Sequence, residues 1–185
     1  MSDSPTFIAR QSIRSMLYQK GYTKILHWLN NTDFFDAPAS SHYHGTWAGG
    51  LAEHSYQVYL MLDNLTKANI VKWDRPDSPF IIGVLHDVCK IDTYETYLDY
   101  ENMVRYRHKH PISEVYEHGS LSVKLIEEHG LELTDQERIC IWYHMGTWTK
   151  DIEDTDLPYN SVIHKQPAVL WTHTADMYAS QVIKI

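Results

Sequence analysis

The stretch Phe80-Ile-Ile-Gly-Val-Leu85 is strongly apolar and runs without interruption into His86 and Asp87. A run of this kind belongs in a core, so the two polar side chains behind it are carried to the core's edge. A charge left there without a partner is costly. Any fold this chain adopts must therefore bring something to the pair that satisfies it. Phe80 to Lys90 reads as a short helix ending at His86-Asp87. Neighbouring helix residues point about 100° apart, so the two side chains converge on one point only if the helix end itself faces it. An imidazole beside a carboxylate suits a divalent cation. A helix-end histidine next to a solvated aspartate is the plainer alternative, and the dipeptide alone favours it.

The rest of the chain reads as mainly helical. Ser4-Pro5 opens a helix carrying Ile8, Ile13, Met16 and Leu17, which Gly21 ends. Thr23 to Asn30 is a second short helix, and residues 33–50 are a loop rich in turn formers. Leu51 to Ala68 sets Leu51, Val58, Leu62 and Leu65 near one face. Thr93 to Lys109 alternates aromatic, apolar and charged residues as a small β-hairpin does. A helix from about Leu121 to His129 stops at Gly130. Thr134-Asp-Gln-Glu137 fits a capping box and opens a helix through Met145, and Pro167 begins a last helix reaching about Val182. The expected fold is all-α with one β-hairpin insertion. At 185 residues it is a single domain (1–185), with N-terminal helices over 1–32 and the core over 33–182.

Charge and composition narrow the partners. A formal net charge of −8 opposes broad non-specific binding of nucleic acid, yet leaves room for a small anion held by a metal or a few local cations. Cys89 and Cys140 make neither a disulfide framework nor a CxxC zinc knuckle. Met1 to Pro5 has no basic segment leading into an apolar one, and no run of about 18 apolar residues exists. The expectation is a soluble cytoplasmic protein with no membrane partner. The 12 histidines against 16 lysines and arginines are the compositional oddity, since histidine is the commonest metal ligand.

Sequence context separates some of these histidines from the rest. His54 sits inside an amphipathic helix behind Gly49-Gly50; alone it reads more readily as a partly buried core histidine. Asp176 lies between Ala168-Val-Leu-Trp171 and Met177-Tyr-Ala179, and an aspartate inside an apolar helix is unusual unless paired or ligating metal. The order His54, His86-Asp87, Asp176 resembles the HD-domain superfamily of metal-dependent phosphohydrolases. The resemblance spans residues 33–180. It extends to Phe34-Phe35-Asp-Ala-Pro-Ala-Ser40, Gly49-Gly-Leu-Ala-Glu-His54-Ser55, His86-Asp-Val-Cys-Lys90-Ile-Asp92, His118-Gly-Ser-Leu-Ser-Val123, Leu133-Thr-Asp-Gln-Glu-Arg138, His144-Met-Gly146 and His173-Thr-Ala-Asp176. These look like a compact bacterial and phage branch, and the motif set is similar to phage dATP triphosphohydrolases.

The resemblance implies that His54, His86, Asp87 and Asp176 hold a divalent ion (Zn, Co, Mn or Mg). It places His118 and His144 where relatives carry histidines for a second metal or for phosphate. Asp87, Lys90, His118 and His144 are the expected catalytic residues: Lys90 pairs with a phosphate oxygen, and His118 or His144 protonates the leaving group. A solvated lysine is the plain alternative for Lys90, and a helix-end histidine for His144. The implied substrate is a deoxynucleoside triphosphate, dATP first, cleaved to deoxynucleoside and triphosphate. A 5′-nucleotidase on deoxynucleoside monophosphates and an idle nucleotide-binding module are the alternatives. His42, Tyr43, His44 and Trp47 in the preceding loop are candidate substrate contacts, with Phe34 and Phe35 as further aromatic faces for a base. Relatives often carry arginine at the position of His42, so a permanent phosphate contact there is not implied. Arg105, Arg107 and Lys109 alternate along the hairpin and would grip a polyphosphate from one face; a solvated strand face is the alternative. Compact relatives assemble, which implies a homo-oligomer, with a hexamer as one form.

Overall fold

Ser4 accepts a hydrogen bond from the Phe7 N–H, and Pro5 occupies the first turn, so helix α1 (Pro5–Gln19) starts where the cap chemistry puts it. The computed structural model describes residues 4–110, 118–149 and 158–185. Met1 to Asp3, part of the leader expectation, lie outside these residues, as does Glu117 ahead of His118. Helix α2 (Thr23–Asn30) follows, then the 33–50 loop, then α3 (Gly50–Lys67) and α4 (Ser78–Leu85). Gly49 stands at φ 88°, and a Cβ on Gly50 would meet the Gly45 carbonyl oxygen at 2.0 Å. The double glycine thus lets the loop close tightly against the start of α3.

Every residue of α4 is buried. The helix packs along α3, and its side chains meet Leu51, Leu62, Ile126 and Ile141 in one continuous core. Strands β1 (Tyr94–Leu98) and β2 (Val104–His108) pair antiparallel, with Tyr94 opposite His108 and Leu98 opposite Val104. Their turn is drawn shut by Asp99, whose Oδ1 accepts the Glu101 and Met103 N–H groups at 2.9 Å each. Helices α5 (His118–Glu128), α6 (Asp135–Trp142), α7 (Tyr159–Lys165) and α8 (Ala168–Met177) complete the described chain. The capping box at α6 is formed: Thr134 Oγ1 accepts from the Glu137 N–H and Glu137 Oε2 accepts from the Thr134 N–H. Glu137, fully buried, also takes Arg75 and Ser78, which ties α6 to the start of α4.

The chain is mostly helical with one small two-stranded antiparallel sheet. Among the described residues no helix is long and apolar enough to cross a membrane. Several element ends differ from the sequence expectation. The helix expected over Phe80 to Lys90 ends at Leu85. Asp87 leaves helical geometry at φ −111°, ψ 19°, and Val88–Lys90 forms a 3₁₀ turn. The helix expected through Met145 stops at Trp142. The last helix gives way after Met177 to a π turn over Tyr178–Ile183. Helix α7 was not expected at all, because it buries only Val162 and so shows no apolar stripe.

Candidate metal centre

Four elements converge on one buried cluster. His54 projects from the first half of α3; His86 caps α4, with Asp87 just beyond it; His144 follows the end of α6; Asp176 lies on the last turn of α8. The early end of α4 is what makes the adjacent pair useful. By breaking the helix between His86 and Val88, the chain turns both side chains toward one point. His86 Nε2 lies 3.5 Å from Asp87 Oδ2, and His54 Nε2 lies 3.8 Å from the same oxygen. Asp176 Oδ1 stands 3.1 Å from His54 Nε2 and 4.0 Å from His86 Nε2, and His144 Nε2 lies 3.4 Å from Asp87 Oδ1. Two sets of ligand atoms fall within 4.8 Å of one another: His54, His86 and Asp87, and His86, His144 and Asp176.

Backbone carbonyls fix the tautomers. The Nδ1–H of His86 donates to the Gly83 carbonyl at 3.0 Å, that of His144 to Ile141 at 2.7 Å, and that of His54 to Ile185 at 3.0 Å. With the proton on Nδ1, each Nε2 presents a lone pair. All three Nε2 atoms and Asp87 Oδ1 are sealed from solvent without a hydrogen bond. The 3.1 Å approach of His54 Nε2 to Asp176 Oδ1 calls for positive charge between them, from a cation or from a proton on His54. Protonating every ring would crowd imidazolium groups whose centroids lie 4.9 and 5.4 Å apart. A divalent ion meets the need with one centre and suits this nitrogen and oxygen donor set. Burial pushes Asp87 up, but Lys90 holds it well below the ordinary range, as do His86 and His144 when they carry a proton. Asp176 is likewise pushed up by burial and brought below the ordinary range by His54, then by His86 and His144, when those rings are protonated.

Lys90 stands on the 3₁₀ turn with Nζ 2.7 Å from Asp87 Oδ2. Burial disfavours its ammonium, yet Asp87 raises it above the ordinary lysine value, so it is a fixed cation at the edge of the cluster. His118 opens α5 within electrostatic reach of Asp87, Lys90 and His144. Burial lowers it to about 4, so near neutrality it is an uncharged imidazole. His44 is lowered to about 4 by burial and then by His54. Its ring centroid lies 5.1 Å from that of His54, and neither ring nitrogen has a partner.

The other loop and hairpin candidates scatter. Phe34 and Phe35 are core residues packed edge to face; their aromatic faces are not open to a base, because the core needs their volume. Trp47 donates its indole N–H to the buried Glu53 at 3.2 Å, and Tyr43 is 90% exposed. Arg105 and Arg107 share a strand face but are paired with Asp99 at 2.8 Å and Glu95 at 2.7 Å, while Lys109 is exposed beyond β2. The opposite face carries Tyr94 and His108, whose rings lie 4.7 Å apart. Tyr94 lies within electrostatic reach of Lys90 and Asp87, and His108 within reach of His42 and Lys90. These two residues escaped the sequence reading. The signal was present: strand alternation that sends Arg105 and Arg107 one way sends His108 the other. The Ile185 carbonyl, partner of His54, left no trace in the sequence pattern. Compared with family models, with curated proteins and with solved structures, the chain matches none of them.

Proposed function

We propose that the protein is a metal-dependent phosphohydrolase of the HD-domain type, acting on deoxynucleoside triphosphates with dATP preferred. The observation that carries the hydrolase reading is the set of three buried, tautomer-fixed histidine Nε2 atoms facing the carboxylates of Asp87 and Asp176. Such an arrangement is expensive as a mere core. The choice of substrate rests on the sequence resemblance, with support from the acidic net charge, which disfavours long polyanions.

His54, His86, Asp87 and Asp176 would hold the ion, with His144 as a further donor. When bound, a divalent ion supplies Lewis acidity toward water and phosphoryl oxygens. The protein's own groups do the rest. Lys90 keeps N–H donors beyond the one given to Asp87, and these can reach a phosphoryl oxygen. His118 and His44, uncharged near neutrality, offer hydrogen bonds rather than fixed charge; each can donate an N–H that orients an oxygen of the leaving group. The carbonyls of Gly83, Ile141 and Ile185 hold the imidazoles in register, so little reorganisation is needed when substrate enters.

The test is incubation of the purified protein with each deoxynucleoside tri- and monophosphate in Mn, Co, Zn and Mg, with products separated by chromatography. Triphosphate and deoxyadenosine from dATP are expected. Orthophosphate from monophosphates with dATP untouched would replace the substrate assignment with a 5′-nucleotidase. Absence of turnover across the panel would end the hydrolase reading.

A further inference from the structure

A cleft of about 640 Å³ lies between the 41–46 loop and the hairpin, lined by Ser41, His42 and Thr46 on one side and by Tyr97 to Tyr100, Arg105 and Tyr106 on the other. We propose that this cleft seats the nucleobase of a nucleotide whose phosphoryl group lies at His54, His86, Asp87 and Asp176. The inference rests on the phosphohydrolase reading above and adds where the substrate's far end goes.

Both walls lead back to the centre. On the loop, His42 is two residues from His44, whose ring touches that of His54. On β2, Tyr106 shares the strand face of His108, about 7 Å along the strand, and His108 lies within electrostatic reach of His42 and Lys90; Tyr97 and Arg105 line the cleft from the other face. A nucleotide with its phosphoryl group at the centre would reach the cleft past these histidines. The walls are also set in advance. Ser40 Oγ accepts the Tyr43 and His44 N–H groups at 2.9 and 3.0 Å and donates to the His44 carbonyl at 2.8 Å, while Ala39 N–H donates to Gly45. Asp99 closes the other wall's turn.

The lining chemistry favours an uncharged heteroaromatic ring over another phosphate. Its one permanent cation, Arg105, is matched by Asp99, so the cleft has no net charge to offer an anion. Tyrosine rings supply the flat surfaces on which bases stack, and the hydroxyls of Ser41 and Thr46 can meet the ring's polar edge.

Two measurements on the full chain, loaded with Mn, test this. Photolabelling with 8-azido-dATP, followed by peptide mapping, should mark residues within 41–46 or 97–106. In parallel, Thr46→Trp, a change at an exposed position, should fill the cleft and raise KM for dATP by about tenfold; inhibition by inorganic tripolyphosphate, which has no base, should shift less than about twofold. Label mapping to other segments, or an unchanged KM for dATP, overturns the cleft assignment while leaving the hydrolase intact. A protein that neither hydrolyses nor is labelled by any nucleotide loses both readings together.

Discussion

Lys90 to methionine strands the buried Asp87 carboxylate without its ammonium. Removing one member of a buried pair typically costs about 3–5 kcal/mol, so urea unfolding of the variant in chelator should show a loss near the lower figure, since Lys90 keeps some solvent contact. Added Mn or Co should restore part of that loss, because an ion at the centre neutralises the same carboxylate. Equal losses with and without metal would mean that no ion binds beside Asp87. Replacing His86 with alanine removes a donor whose Nδ1 is already fixed by Gly83. Metal affinity measured by calorimetry should fall by well over tenfold, since losing even an outer partner of a ligand costs about 10–100-fold. At this scale much was legible in the sequence. A carboxylate inside the apolar run around Asp176 and a polar pair behind Phe80–Leu85 both demanded a partner. What could not be read was pairing through the backbone: nothing in the residue types near 54 and 185 says that one donates to the other.

Helices α3 and α4 meet so closely that a Cβ on Gly83 would lie 2.4 Å from the Tyr59 backbone. Gly83→Ala should therefore force the two helices apart at a cost of about 1–3 kcal/mol, visible in thermal unfolding, and should weaken metal binding because His54 and His86 ride on those helices. A second link joins α1, α2 and α4, where Asp77 accepts from Lys20 and from Tyr22 at 3.0 Å. Partial burial pushes its carboxyl up, but Lys20 and Tyr22 bring it below the ordinary value. Its contribution is thus present above the unfolded pKa of about 3.9 and is lost as pH falls through the lower folded value. Asp77→Asn should remove about 0.5 kcal/mol at pH 7 and flatten the acid limb of the stability profile; an unaltered profile would show that the link carries no stability. Helix existence was readable where caps and stripes coincide, as at Ser4-Pro5 and Thr134–Glu137. Helix ends at Leu85, Trp142 and Met177 were not, because the constraint there is the geometry of the centre, not local propensity. Helix α7, with one buried side chain, had no pattern to read.

For the molecule as a whole, an ion held at the centre would crosslink four elements distant in sequence, so stability should track metal. At about one hundred times the dissociation constant, binding adds about 2.7 kcal/mol, which for a chain of this size corresponds to about 5–10 °C in Tm. Scanning calorimetry with and without chelator checks it, and a Tm indifferent to every divalent ion tried would remove the metal centre. The His54 ring leans on the carbonyl of Ile185, 131 positions away, and Asp176 stands only nine positions before that residue. During synthesis the ribosome delivers His54, His86 and Asp87 well before either. A nascent chain thus carries an unfinished socket, and any cation it takes up would wait until the segment carrying Asp176 docks.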